Sequence, residues 1–111
     1  MKVVFVSGPY TTPSPGENAK VIIELAIDVA RAGAMPVAPN LMTDSRFMQV
    51  QNYAWWVCAT STLLWRCDAI IFTHDYARSH GALSEEAIAL NRGIPCFYDV
   101  PELEEWLKVN K

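Results

Sequence analysis

The sequence predicts an open α/β fold in which a parallel sheet of four or five strands is covered by helices on both faces. Short apolar runs alternate with longer stretches of helical spacing, and the runs are apolar at every position instead of every second one. Strands of that kind must be buried on both sides, which parallel strands joined by right-handed helical crossovers achieve. With 111 residues, 51% of them hydrophobic, the chain suffices for one core and one domain over 1–111. The strand order expected is 2-1-3-4, which places the topological switch point between strands one and three.

Residues 2–6 are rich in β-branched side chains, end at Ser7-Gly8-Pro9 and read as the first strand. A loop holding Pro9, Pro13 and Pro15 follows. Over 17–32, Val21, Ile22, Leu25, Ile27, Val29 and Ala30 recur at helical spacing, and Gly33 stands where a C-terminal cap belongs. Residues 35–38 form the second strand. Asp44 or Ser45 caps a long helix to about 66 whose Trp55, Trp56 and Trp65, with Met48, are read most simply as core, although they also suit a subunit interface.

Residues 69–72 supply the third strand, 81–91 the third helix with Gly93 as its cap, and 94–98 the fourth strand. Pro101 then opens a last short helix, with Glu102, Glu104 and Glu105 early and Lys108 late, the charge order a helix dipole favours.

Composition excludes several functions. A net charge of −3, with five Arg and four Lys scattered singly, makes no basic field for a nucleic-acid polymer, though a single nucleotide is compatible. No apolar run reaches membrane-spanning length, and the start of the chain lacks a signal-peptide apolar region, so no membrane partner and a cytoplasmic location are expected. Cys58, Cys67 and Cys96 form no CxxC pair and read as free thiols. His74 and His80, six apart on a loop, do not make a metal site, and no metal is expected.

The 2-1-3-4 order brings the loop after strand one and the loop after strand three to one crevice. In the first, Ser7-Gly8-Pro9-Tyr10-Thr11-Thr12 offers hydroxyls and a glycine for close approach, but it is neither GxGxxG nor a Walker A loop, so no dinucleotide or triphosphate is indicated. In the second, Ser79, Gly81 and Ala82 give a hydroxyl and unobstructed amides at a helix start, the equipment for holding a phosphate. Glu85 and Glu86 both lie one turn inside that helix, and both stripes they occupy are partly apolar, so spacing leaves the functional acid open between them. Tyr10, Asn18 and Asp75 complete the candidates, Asn18 read chiefly as part of a cap and Asp75 as a possible turn former, whereas Asp68 lies at the far end of strand three and is read as structural.

Together, Val6-Ser7-Gly8-Pro9-Tyr10, Asn18, residues 33–39, Cys67-Asp68-Ala69, Ser79-x-Gly81-Ala82-x-x-Glu85 and Ala89-x-x-x-Gly93-Ile94-Pro95 resemble the nucleoside 2-deoxyribosyltransferase-like superfamily. The chain looks most like its small bacterial and phage branch, the DUF4406-type proteins. The resemblance runs over about 3–98 and implies a flavodoxin-like or Rossmann-like three-layer fold, a homo-oligomer (dimer or tetramer), and cleavage of the N-glycosidic bond of nucleosides or nucleoside 5′-monophosphates without a cofactor. It assigns the nucleophile to Glu85, an orienting tyrosine to Tyr10, and a 5′-phosphate contact to Ser79, within a substrate site formed by Ser7, Gly8, Pro9, Asn18, Asp75, Gly81 and Ala82. Relatives usually carry an aspartate eight residues before the one at position 68, where it acts as general acid on the leaving base. This chain has Thr60 there, with Asp44 or Asp75 as possible substitutes.

Two functions follow as expectations. One is an enzyme that hydrolyses or transfers at the N-glycosidic bond, in which Glu85 stabilises or captures the oxocarbenium-like sugar. The other is a nucleotide-binding or sensing module that kept the pocket and lost turnover, as the Thr60 departure suggests. A flavin-bearing electron carrier fits less well, because the first loop lacks a dense phosphate cradle.

Overall fold

Val4, Phe5 and Val6 exclude water on both faces, which fixes Val3–Ser7 as the central strand β1 of a computed structural model that describes residues 1–10, 15–42 and 45–110. Helix α1 (Pro15–Arg31) follows, then β2 (Met35–Val37), a single tight turn at Pro39–Leu41, helices α2 (Ser45–Met48) and α3 (Tyr53–Trp65), and strand β3 (Ala69–Phe72). A second tight turn at Tyr76–Arg78 leads into α4 (His80–Arg92), β4 (Cys96–Phe97) and α5 (Val100–Val109). The four strands are all parallel, in the order β2-β1-β3-β4, as the alternation of elements predicts.

Side chains alternate across the sheet and split the core in two. Val4, Val6, Ala69, Ile71 and Phe97 meet Ile22 and Val29 of α1 and Leu103 of α5 on one face. Phe5, Ile70 and Phe72 meet Leu64 of α3 and Ala89 of α4 on the other. Ser7 shares the parity of Phe5 and so points toward α4. Gly33 and Gly93 both have positive φ, at 95° and 73°, which explains glycine at these two helix ends.

Several boundaries differ from expectation. Helix α1 begins two residues earlier, at Pro15, whose missing N–H costs nothing in a first turn. The long helix expected to 66 is two helices, because Asn52 caps a new start by accepting the Trp55 amide at 2.9 Å. Ser45 opens the first of them, while Asp44 lies outside the described residues. Strand β4 is only Cys96–Phe97.

The tryptophan group is not core: Trp55 is 45% and Trp65 48% exposed, and Met48 is exposed with them. Helix α3 is largely apolar and anchors itself through Leu64 and Leu63, with Phe47 against Trp56 and Arg92 over Trp65, yet Tyr53, Trp55 and Val57 stay exposed. No helix among the described residues is long and apolar enough to cross a membrane.

Candidate functional site

The carboxyl ends of β1 and β3 meet the start of α4, and that junction gathers most of the expected residues. Ser79 is the N-cap of α4, its Oγ accepting the Ala82 amide at 3.1 Å. One turn on, Glu85 crosses to the sheet, where Oε1 accepts a hydrogen bond of 2.5 Å from Ser7 Oγ at the end of β1.

Burial raises the proton affinity of Glu85 above the ordinary glutamate range, and the Ser7 hydrogen bond opposes that rise by favouring the ionised form. No buried side-chain oxygen among the described residues lacks a partner. The second oxygen of Glu85 takes no hydrogen bond from a described residue. One oxygen is anchored and the other has no donor among the described residues, a disposition suited to a nucleophile or a cation-stabilising group.

Glu86 is turned elsewhere. Its Oε2 accepts from Tyr76 Oη at 3.0 Å and Tyr98 Oη at 2.7 Å, which pushes both phenols up in pKa. Tyr98 stacks on Phe72 with centroids 5.4 Å apart, and Tyr76 packs on the same ring at 4.8 Å. Geometry thus separates two acids that spacing left equivalent. The aromatic pair went unread in the sequence, although Tyr98 follows strand β4 at the crevice end of the sheet.

The floor of the junction is tightly built. The Thr73 amide donates to Ser7 O at 2.9 Å, and Asn40 Nδ2 donates to Gly8 O at 2.9 Å. Asp75 accepts from Thr73 Oγ1 at 2.7 Å, so it closes its own turn. Pro9 and Gly8 are buried, as is Asn18 inside the first turns of α1. Tyr10 lies just beyond, 37% exposed. It donates no hydrogen bond to Glu85, whose partner is Ser7. Thr11 and Thr12 are outside the described residues.

Gly81 faces open space, with only Ser79 Oγ, at 3.6 Å, near an added Cβ. Thr60 donates to the carbonyl of Val57 at 3.1 Å, a bond internal to α3. Asp68 accepts the Val3 amide at 2.7 Å at the opposite edge of the sheet, the structural role read for it. Two surface hollows, of about 560 and 290 Å³, lie at that far edge and between α1 and the start of α5, and Glu85 lines neither. Among the described residues no group of three His, Cys, Asp or Glu is placed to hold a metal.

Residues 2–98 match the model of a family described as DUF4406, a domain of unknown function. No curated protein matches the chain.

Proposed function

The chain belongs to the DUF4406 family, and from that premise we propose that it cleaves the N-glycosidic bond of a nucleoside or (deoxy)nucleoside 5′-monophosphate through Glu85. This extends the motif resemblance to the nucleoside 2-deoxyribosyltransferase-like superfamily into an activity. The observation that carries it is a partly buried carboxylate at the switch point of a parallel sheet, one oxygen held by Ser7 and the other without a donor among the described residues. A carboxylate whose proton affinity is raised by burial at such a junction is a functional-site candidate on physical grounds.

The second oxygen of Glu85 attacks the anomeric carbon as the carbon–nitrogen bond breaks, and its electron pair leaves with the base, which takes a proton from water. Water then cleaves the glycosyl ester to release the sugar and restore the carboxylate; a second base in place of that water makes the reaction a transfer. Ser79 and the amide of Gly81 hold the 5′-phosphate at the helix start, the Ala82 amide being taken up by Ser79 Oγ in the cap. Gly8, Pro9, Tyr10, Asn18 and Asp75 border the sugar and base.

Release of free base from a panel of nucleosides and their 5′-monophosphates, followed by chromatography, tests this. Release by the wild type that Glu85→Ala abolishes is the expected outcome. No release from any member, or undiminished release by the variant, refutes it.

Thr60 favours a second reading, a nucleotide-binding or sensing module. Its hydroxyl is bound within α3, and a positioned general acid is worth about 10²- to 10⁴-fold in rate. Calorimetry showing nucleotide affinity without product identifies this case. We further place the protein in the cytoplasm, on its free cysteines Cys58, Cys67 and Cys96, and as a homo-oligomer joined through the apolar faces of α2 and α3.

A further inference from the structure

We propose that Ser7 is the positioning residue of Glu85, its hydroxyl setting the direction in which that carboxylate faces. The inference rests on the reading of Glu85 as the nucleophile. The resemblance gives the orienting task to Tyr10, yet the hydrogen bond comes from Ser7, which is 1% exposed.

Donor and acceptor are both held rigidly. Ser7 ends β1 in register with Phe72 of β3, and its carbonyl accepts the Thr73 amide. The carbonyl of the next residue, Gly8, accepts from Asn40 Nδ2, and Thr73 leaves no room for a side chain at that position. On the other side, Ser79 caps α4 and fixes the first turn from which Glu85 projects. A hydroxyl so placed donates to one oxygen of the ionised carboxylate and leaves the other without a donor among the described residues.

The control of ionisation is local. Burial and Ser7 are the causes of the Glu85 shift, with no charged neighbour among them. Of the ionisable groups on the surrounding elements, Glu86 is held by Tyr76 and Tyr98 and Asp75 by Thr73, while Tyr10, His74, Arg78 and His80 are exposed. Removing the Ser7 hydroxyl therefore leaves burial unopposed, and the Glu85 proton is held to higher pH.

Carbon-13 NMR titration of the Glu85 carboxyl in the wild type and in Ser7→Ala, paired with the pH profile of base release, tests the assignment. The midpoint rises by about one to two pH units in Ser7→Ala, the worth of one hydrogen bond to a charged group. The ascending limb of the rate profile moves with it, and Ser7→Thr, which keeps the hydroxyl, moves it back. An unmoved midpoint overturns the inference, as does a loss of rate equal at every pH. If the midpoint moves while the wild type releases no base, the Ser7–Glu85 coupling stands and the enzymatic reading falls.

Discussion

A Cβ built on Gly8 would lie 2.5 Å from Oγ1 and 2.6 Å from Cγ2 of Thr73, with Ile22 Cδ1 at 3.1 Å. Thr73 is 3% exposed and tied to Asp75, so it has little room to yield. The glycine is thus demanded by the approach of two strand ends, and its backbone conformation has no part in the demand. Gly8→Ala is expected to cost about 1–3 kcal/mol, lowering the melting temperature by roughly 5–15 °C. A double-mutant cycle with Thr73→Ala locates the cause, since the cost of Gly8→Ala shrinks once the threonine side chain is gone. Equal costs in both backgrounds would place the strain elsewhere.

That contact also marks how far the sequence can be read. β1 and β3 were legible because every residue in Val4–Val6 and Ala69–Phe72 is apolar, which only a doubly covered strand tolerates. The ends of α1 and α4 were legible through Gly33 and Gly93. The break between α2 and α3 was not, because a helix apolar on every side carries no periodic signal to interrupt, and the Asn52 cap was masked by its neighbours. The same lack of periodicity disguised exposed tryptophans as core. Periodicity left Glu85 and Glu86 open and only the motif resemblance chose Glu85; their different partners are tertiary, since Ser7 lies 78 residues from Glu85 and no local pattern pairs them.

Glu85 makes stability depend on pH with a definite sign. Its folded-state proton affinity exceeds the unfolded one, so between the two values the native state binds more protons and stability falls as pH rises. The contribution is intact below the ordinary glutamate range and is lost as pH climbs through the elevated folded value. Glu85→Gln has no such loss and is expected to be more stable than the wild type at neutral pH by about 1 kcal/mol, the two converging in acid. Chemical denaturation of both proteins across this range checks it. Parallel curves would mean that the carboxylate is not held against its charge.

The exposed apolar surface of α2 and α3 supports a different experiment. Tyr53, Val57 and Leu64 fall on one helical stripe, yet Leu64 is fully buried while Tyr53 is 82% and Val57 45% exposed. The core-facing stripe of α3 thus continues into side chains that the described residues leave exposed. Met42, Phe47 and Val50 extend the patch, and between positions 45 and 65 Arg46 is the sole charged residue. A nearly uncharged surface can meet its own copy without repulsion, as a two-fold interface requires. Sedimentation is expected to give a multiple of the 12.4 kDa chain mass, and Tyr53→Glu with Val57→Glu to return the single-chain value with the fold intact. Both substitutions fall on exposed helical positions, so circular dichroism should be unchanged. A wild type that sediments as one chain at micromolar concentration and above rules out self-association through this face.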